Sequence, residues 1–483
     1  MSNQKHFINL FMGMGVNVVL GIITTPIITR LVDPIAYGNL ALFTLFGNVF
    51  MLVGMLGHDQ SYARFYYINE EENYKKYILR ATSKIPILVS IVAASIIFLY
   101  YVFVDRMKTA VFPIFSIYLI VLTIGVFSNF TIRLRLRTTL YSLIINIQKI
   151  LYVGFIVVAV FFTKFDHLSI LAAATVVSQA VICLIGILAE KDLWSFKREP
   201  LRLREHYSSI VSSKEIAIYG IPFVFANLCN WIFTGADKVM IRIFSTGTEL
   251  GIYASAVSVV GIFSIVTTTF NTIWGPLAVE EYEKKNEDRT FFVKMSDYVC
   301  ILMFVMGSCV VLGKDIIVYL LGKEYRDAVF LIPFLTLHPI MYTLSESTVY
   351  GINFAKKTKY HIVVTFACCI LNIILNLLFI PILGSLGAAV STGISYTLFF
   401  VMRTIFSVRC FRVDYNIKKF ILMTILYYIF VIYNSVNKIN IVCVFMFTIY
   451  VVIIFSIYKS RIRELIRLGI EYLKDIFYKS SKH

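Results

Sequence analysis

The sequence predicts an all-α polytopic membrane protein, and three observations lead to that prediction. Apolar runs of about twenty residues recur along the chain, which is the length that a helix needs to cross roughly 30 Å of hydrocarbon. The connections between these runs carry Lys and Arg on alternate sides. The composition is 59% hydrophobic and 15% charged, which suits a chain whose surroundings are mostly lipid.

Fourteen apolar runs have the length of a membrane-spanning helix. They are residues 7–29, 35–56, 85–104, 111–132, 140–163, 168–189, 216–243, 250–274, 295–312, 328–355, 360–379, 386–402, 420–433 and 439–458. The thirteenth run is short, but its removal would break the charge alternation around Arg409, Lys418 and Lys419. The first run is too long for a signal-peptide core and has no small-residue cleavage site after it, so we expect it to be retained.

The basic residues predict that both termini are cytoplasmic. The N-terminus, the even-numbered connections and the C-terminal tail carry 34 of the 45 Lys and Arg residues, whereas the odd-numbered connections carry 8 and the runs carry 3. Positive charge collects on the cytoplasmic side of membrane proteins. Because the basic residues are spread over every predicted cytoplasmic connection, the net charge of +17 reflects topology, and we expect no nucleic-acid partner.

The sequence offers no pattern typical of a cofactor, a metal or a nucleotide. The eight cysteines and seven histidines are scattered without ligand spacing, so we expect no metal site. Gly13-Met14-Gly15 follows no strand, and Gly313-Lys314-Asp315 lacks the Ser or Thr of a phosphate-binding loop. Any uphill transport must therefore use an ion gradient or consumption of the product. External connections of at most about fifteen residues leave little room for an active site, so we expect no enzyme.

Two short matches suggest an internal duplication. Arg30 is followed by Gly38-Asn39-Leu40-Ala41, and Arg242 by Gly251-Ile252-Tyr253-Ala254. This correspondence predicts two pseudo-symmetric six-helix lobes with a cavity between them, as in alternating-access transporters. The predicted organisation is an N-terminal lobe at 1–190, a cytoplasmic linker at 191–215, a C-terminal lobe at 216–408, two further spans at 409–458 and a basic amphipathic tail at 459–483.

Several motifs resemble one known family. They are Gly220-Ile221-Pro222-Phe223, Trp231, Ala236-Asp237-Lys238, Gly251-Ile252-Tyr253, Gly384-Ser385-Leu386-Gly387-Ala388-Ala389, and Thr25-Pro26 with Arg30 and Tyr37-Gly38. Together they are similar to bacterial polysaccharide-repeat-unit flippases of the multidrug, oligosaccharidyl-lipid and polysaccharide exporter superfamily. Fourteen spans also suit this branch, whereas twelve are usual in the drug-exporting branch. The resemblance implies a flippase of the bacterial cytoplasmic membrane that moves a polyprenyl-diphosphate-linked oligosaccharide from the inner to the outer leaflet.

Such a cargo needs cations inside an otherwise apolar wall. Lys149 lies twelve residues past Arg137, which is about 18 Å along a helix and close to the bilayer midplane. Asn146 and Gln148 adjoin it. Charged groups within the membrane are costly and usually face a cavity, so we expect Lys149 to bind the cargo phosphates with these amides beside it. The alternative is an ion pair between Lys149 and a carboxylate of another span.

Further candidates lie at the predicted outer end of the seventh run. Lys238 and Arg242 are four residues apart and share a helix face, next to Asp237. They could extend the cationic path for the cargo. Arg242 and Arg30 could instead reach the lipid headgroups.

Glu346 is the main candidate for energy coupling or gating, together with Asp237. It lies ten residues before Lys356, or about 15 Å deep. Three roles remain open: Glu346 could carry a coupling proton, pair with Lys149, or hydrogen-bond to a neighbouring helix.

The tail combines apolar and basic residues at helical spacing. The apolar residues are Ile462, Leu465, Ile466, Ile470, Leu473, Ile476 and Phe477, and the basic ones are Arg461, Arg463, Arg467 and Lys474. This pattern is typical of an amphipathic helix on the anionic cytoplasmic leaflet, so we expect membrane lipids as partners. The alternative is a docking surface for other polysaccharide-assembly membrane proteins.

Two other functions remain open at this point. A drug or cation antiporter of the same superfamily would need acids in its cavity without several cations, which Lys149 and Lys238 argue against. A membrane-bound glycosyl enzyme would need a carboxylate pair or metal ligands on a loop, and neither arrangement is found. No motif identifies the sugar.

Overall fold

The computed structural model describes residues 2–105, 110–195, 201–284 and 289–467, and within these ranges all regular structure is helical. The helices in the first part of the chain are α1 (Ser2–Leu31), α2 (Pro34–Gly54), α3 (His58–Phe65), α4 (Glu72–Tyr100), α5 (Val111–Leu134), α6 (Thr138–Phe162), α7 (His167–Ala189), α8 (Leu201–Ile210), α9 (Ser213–Phe244) and α10 (Gly247–Val260). A π-helical turn, Tyr101–Asp105, continues α4.

The later helices are α11 (Phe263–Glu283), α12 (Thr290–Leu312), α13 (Lys314–Tyr319), α14 (Ala328–Leu335), α15 (Leu337–Thr348), α16 (Tyr350–Phe354), α17 (Lys359–Leu383), α18 (Ser385–Cys410), α19 (Ile417–Asn434) and α20 (Ile441–Ile457). A 3-10 turn, Lys323–Tyr325, precedes α14. A last helix, Lys459–Arg467, follows α20 and is called the tail helix below.

The described residues contain ten helices that are long and apolar enough to cross a membrane, or twelve if each of two bent helix pairs counts as one span. The predicted thirteenth run is one of the ten, because Ile417–Asn434 meets the criterion. Of the fourteen predicted spans, those on α1 and α9 fall outside this count. The chain is an all-α multi-pass membrane protein, as predicted.

Several helices are longer than the apolar runs that predicted them. α4 begins at Glu72, far ahead of residue 85, and α18 continues to Cys410, past Met402. The predicted connection at 57–84 therefore contains α3 and the first turns of α4. Hydrophobicity marks the lipid-contacting part of a helix, whereas its polar ends continue beyond the hydrocarbon. In contrast, the tenth run is divided into α14, α15 and α16.

The first compact unit comprises residues 1–258 and 321–325. Two of its helices begin at recognisable caps. The Asp33 side chain accepts a hydrogen bond from the Ala36 N–H at the start of α2, and Ser212 and Glu215 form a capping box at α9. Within this unit α1 packs on α6, and α5 packs on α4 and α7. One apolar core joins α1, α2, α5, α6 and α7 through Phe43 and its neighbours.

A second core of the first unit is rich in tyrosine. It contains Tyr62, Tyr66, Tyr74, Tyr77 and Tyr207 together with Leu193 and Val211. Within the segment at 191–215, which the sequence predicts to be a linker, Leu193, Tyr207 and Val211 thus belong to this core. Beside the core, the fully buried Glu190 pairs with Arg135 at 2.6 Å and with Arg137 at 3.1 Å.

The second compact unit comprises residues 259–320 and those from 326 onward. α18 packs against α14, α15, α16 and α17. Gly384 has a φ of +58° and ends α17, and a Cβ on Gly387 would lie 2.4 Å from the Phe379 carbonyl oxygen. This part of the family-like motif therefore forms the tight α17–α18 hairpin, because both positions exclude larger residues.

The tail helix is anchored to the second unit by its basic and acidic side chains. Arg461 Nε contacts Oδ2 of the buried Asp297 on α12 at 3.1 Å, and Lys294 Nζ contacts Glu464 Oε1 at 2.7 Å. Arg461, one of the basic residues of the predicted amphipathic tail, is thus held against the protein by this carboxylate. The predicted tail residues Ile470, Leu473, Lys474, Ile476 and Phe477 lie outside the described residues.

Candidate functional site

Lys149 lies near the middle of α6, where its ammonium group meets a carbonyl oxygen. Its Nζ donates to the Asn17 carbonyl oxygen of α1 at 2.6 Å. In the part of the chain that the structure describes, no carboxylate lies within ion-pair distance of Lys149. A carbonyl supplies a partial charge only, so the ammonium keeps its net positive charge in the membrane-spanning part of the fold.

Amide side chains lie before this lysine on α6 and on the two helices that pack against α6, and a glycine lies against its ammonium group. Gln148 Nε2 donates to Gln179 Oε1 of α7 at 2.7 Å, and Asn17 Nδ2 donates to the Ile145 carbonyl oxygen at 3.4 Å. Asn146 is half-buried on the same helix. A Cβ on Gly21 would come within 2.9 Å of Lys149 Nζ, so glycine at this position leaves room for the ammonium. We call Lys149, Asn146, Gln148, Asn17 and Gln179 the amide–lysine cluster.

The three candidates on α9 have different environments. Asp237 is buried and accepts a hydrogen bond from the Tyr253 hydroxyl of α10 at 2.9 Å. Lys238 is half-buried, and Arg242 is exposed near the end of the helix. Arg30 is likewise exposed at the end of α1. The structure thus places Lys238 deeper than either arginine.

Two close backbone contacts join α2 to the α9–α10 region at its opposite ends. A Cβ on Gly38 would lie 2.7 Å from the Gly251 nitrogen, and a Cβ on Gly251 would lie 1.9 Å from the Pro34 carbonyl oxygen. A Cβ on Gly220 would lie 2.7 Å from the Gly57 carbonyl oxygen. Small residues let helix backbones approach this closely, so three glycines of the family-like motifs, Gly38, Gly220 and Gly251, have a packing role together with Gly57.

Glu346 forms an ion pair with Arg403 in the second unit. Glu346 Oε1 accepts from Arg403 Nη1 at 2.6 Å, and the same nitrogen donates to Ser345 Oγ at 2.8 Å. The Arg403 guanidinium also lies over the Phe399 ring, 4.9 Å from its centroid. Arg403 is only 8% exposed. The sequence suggests Lys149 as a cationic partner of Glu346, but the structure pairs Glu346 with Arg403 of α18, which is not among the candidates from the sequence, and Lys149 contacts Asn17 instead.

A polar seam extends this pair along α15 and α18. Thr348 and Thr404 share a hydroxyl–hydroxyl hydrogen bond of 2.8 Å, and Ser407 Oγ donates to the Thr348 carbonyl oxygen. The Gly351 N–H donates to Ser407 Oγ at 3.0 Å across the break between α15 and α16. The side chains of α18 therefore satisfy backbone groups that the broken helix leaves free.

Sequence reasoning missed Arg403, Gln179 and Asn17. Arg403 was assigned to a connection because the twelfth run ended at Met402, and a longer helix boundary would have shown it as an intramembrane cation. Gln179 and Asn17 are uncharged, and the sequence does not show which helix they face. Within the described residues no group of three or more metal-ligating side chains could hold an ion.

Comparisons with known proteins give a consistent result. Residues 4–280 match the sequence model of a family described as "Polysaccharide biosynthesis protein". A structure described as "Lipid II flippase MurJ, inward closed conformation" aligns with a TM-score of 0.66 and 15% identity, over 94% of this chain and 100% of that chain. An inward-facing multidrug resistance MATE family transporter of the MOP superfamily aligns with a TM-score of 0.53 and 15% identity, over 81% of this chain and 94% of that chain. No curated protein matches.

Proposed function

The chain belongs to the polysaccharide biosynthesis protein family, and from that premise we propose that it flips polyprenyl-diphosphate-linked oligosaccharide repeat units from the inner to the outer leaflet by alternating access. The membership confirms the resemblance found in the sequence motifs. The chain is a membrane transporter with the fold of the MOP superfamily, not an enzyme. That the cargo is lipid-linked is the part that we propose. A flippase of similar fold supports it.

The amide–lysine cluster carries the proposal. A diphosphate that crosses the membrane needs a positive charge along its path, because burying an uncompensated anion is costly. Lys149 fits this need, since its contact with the Asn17 carbonyl leaves the ammonium charge uncompensated. A phosphate oxygen would accept from Lys149 in a charge-assisted hydrogen bond. The neighbouring amides could hydrogen-bond to phosphate or sugar oxygens.

Lys238 extends the path in the proposed mechanism. Lys238 is half-buried on α9, about two helical turns after Trp231. It lies closer to the C-terminal end of this helix than to its middle. We propose that the phosphates pass from Lys149 to Lys238, and that the exposed Arg242 and Arg30 bind them at the membrane surface. Asp237 is held by Tyr253 and limits the net charge of this second position.

The glycine contacts are the proposed gates of the cycle. On the predicted topology, Gly38 and Gly251 lie at the external end, and Gly57 and Gly220 lie at the cytoplasmic end. Alternating access requires that the two ends separate in turn. Close backbone contacts of this kind can re-form without rearrangement of side chains, which suits a gate that opens once in each cycle.

The Glu346–Arg403 pair is the proposed coupling element. Protonation of Glu346 would release Arg403 and weaken the seam between α15 and α18. A proton or sodium gradient could thereby bias the second unit between two packings. The pair also bears on the drug-antiporter alternative, because a carboxylate that Arg403 already neutralises has little attraction left for a cationic drug.

The proposed topology has fourteen spans with both termini in the cytoplasm of a bacterium. Reporters fused after residues 110, 165, 247 and 436 should report the external side, and reporters after 75, 200, 286, 358 and 415 the cytoplasm. A cytoplasmic signal at 436 with all others as expected would remove the thirteenth span and overturn the count.

The function itself is tested with the purified chain in proteoliposomes. A fluorescent polyprenyl-diphosphate oligosaccharide is placed in both leaflets, and its accessibility to a membrane-impermeant quencher is followed with and without an imposed pH or sodium gradient. We expect movement of this lipid and no uptake of a cationic dye. Dye uptake without lipid movement would establish the antiporter alternative instead.

A further inference from the structure

The tail helix turns sharply away from the last span. Lys459–Arg467 is bent by 78° relative to α20, with Tyr458 buried at the corner. If α20 crosses the bilayer near its normal, the tail helix lies almost in the membrane plane. The bend is held on the protein side, because the Tyr458 hydroxyl donates to the Cys300 sulfur at 3.4 Å.

The anchoring contacts fix which face of the tail helix meets the protein. Arg461 and Glu464 are three residues apart and share one face, which contacts Asp297 and Lys294 of α12. Asn416 adds two hydrogen bonds of 3.2 Å to the Asp297 carboxylate. The hydrogen bond from Lys294 holds the pKa of Glu464 below its usual value, so this carboxylate stays charged in the anchor.

The opposite face carries basic and apolar residues side by side. Lys459 and Arg463 are four residues apart and exposed. Ile466 is 57% exposed and lies beside them on the helix, and Leu465 is 41% exposed on its flank. The acid of this helix, Glu464, faces the protein. The outward face therefore combines positive charge with apolar side chains, which is the composition of a helix at a membrane interface.

We propose that the outward face of the tail helix binds anionic phospholipid headgroups, and that the Asp297–Arg461 pair orients it for this contact. The charge complementarity selects the partner: Lys459 and Arg463 meet headgroup phosphates while Ile466 enters the acyl boundary. The lipid charge would thus act on α12 through the anchor. This proposal is independent of the cargo that the transporter moves.

The test compares the full-length protein in two kinds of vesicle, phosphatidylcholine alone and phosphatidylcholine with phosphatidylglycerol. Hydrogen exchange of the backbone amides of residues 459–467 is measured in both. We expect slower exchange in the anionic vesicles, with the difference lost at high salt. Equal exchange in both vesicles overturns the proposal and would leave a protein partner as the occupant of this face.

Two variants separate charge recognition from folding. Lys459→Gln with Arg463→Gln should weaken the anionic-lipid effect by about fivefold for each charge removed. The matched control is Lys357→Gln with Lys359→Gln, which removes two exposed charges, one from the α16–α17 connection and one from the first residue of α17, and should leave the effect unchanged. If both double variants behave alike, the lipid responds to overall charge and the proposal fails.

A third variant tests the anchor. Asp297→Asn keeps the side-chain volume but removes the charge that holds Arg461. We expect faster exchange of the tail helix in both vesicle types, while the difference between the vesicles persists. Unchanged exchange in phosphatidylcholine would show that the Asp297–Arg461 pair does not orient the helix.

Discussion

The two units each hold a cation in their membrane-spanning helices, and they stabilise it in different ways. In the first unit, Lys149 contacts a carbonyl oxygen, and the adjacent Gln148 hydrogen-bonds to Gln179 of α7. In the second unit, Arg403 has a carboxylate, a hydroxyl and an aromatic ring as neighbours. One site keeps its positive charge, and the other neutralises it.

This difference indicates what each site can do. A cation that is fully compensated within the protein needs no ligand, and removing one partner leaves the other as an uncompensated buried charge. A cation with a neutral partner is stabilised further by an anion from outside. The comparison therefore supports our proposals of ligand binding at Lys149 and of a conformational role for the Glu346–Arg403 pair.

The largest expected effect is the loss of transport in Lys149→Ala. We expect polymer export to fall below detection, with normal accumulation of the protein in the membrane, since the diphosphate loses its main counter-charge. One charged hydrogen bond is worth about 1.5–3 kcal/mol, so flipping in vesicles should slow by roughly 10- to 150-fold. Lys149→Arg should be partly tolerated.

The matched control for this variant is Lys164→Ala. Lys164 is an exposed lysine on the connection that follows the same helix, so Lys164→Ala removes the same formal charge, but outside the membrane. Its flipping rate should stay native. Normal export by Lys149→Ala would reduce Lys149 to a packing residue and erase the contrast between the two units.

The second prediction separates stability from transport at the ion pair. Arg403→Leu leaves the half-buried Glu346 without its cation and should destabilise the protein by up to about 3–5 kcal/mol, whereas the double variant with Glu346→Gln should recover much of this loss. Thermal unfolding in detergent followed by tryptophan fluorescence measures both. Additive effects of the two substitutions would mean that the pair contributes no coupling energy.

The transport readout of the same pair uses Glu346→Gln alone. Glutamine imitates the protonated carboxyl, so this variant should bind cargo but fail to cycle, and Glu346→Ala should also lose helix packing. Flipping is measured with and without an imposed gradient. A native rate with native gradient dependence would remove Glu346 from coupling and leave it as a structural partner of Arg403.

The sequence predicted one of these two sites better than the other for a physical reason. Lys149 is far from both ends of its apolar run, so its depth can be read from spacing alone. Arg403 lies near the end of α18, and hydropathy places that end too early in the sequence. Its role also depends on Glu346, which lies on a neighbouring helix. The faces through which two helices meet depend on the packing of the whole unit. They cannot be inferred from the residue spacing of one sequence. The glycines illustrate the same limit: Gly38 and Gly251 were recognised as similar motifs, but their mutual contact was not predictable.

The third prediction concerns the glycine contacts within the first unit. Gly38→Ala and Gly220→Ala would each place a Cβ within 2.7 Å of backbone atoms, so closure at the affected end should be impaired. We expect a several-fold slower flipping rate for each. The control is Gly154→Ala, whose Cβ would have no atom within 4 Å. If all three variants flip at one rate, these contacts do not limit the cycle.

The smallest expected effect is at Asp33, whose carboxylate contacts a histidine outside the membrane. Asp33 Oδ2 lies 2.8 Å from Nδ1 of His167, and its carboxylate caps α2. Burial acts to raise the pKa of Asp33, but the hydrogen bonds from the Ala36 N–H and from His167 together hold it below the usual value. A lowered pKa in the folded state means that the carboxylate stabilises the fold above pH of about 4 and loses this contribution as the pH falls through the folded pKa.

Because both side chains are about 40% exposed, solvent screens the pair and Asp33→Asn should cost less than about 1 kcal/mol near neutral pH. Unfolding temperatures of the native chain and of this variant should therefore converge at low pH. A gap that widens on acidification would contradict the assignment, and a cost as large as that of Arg403→Leu would show that charge outside the membrane matters as much as charge within it.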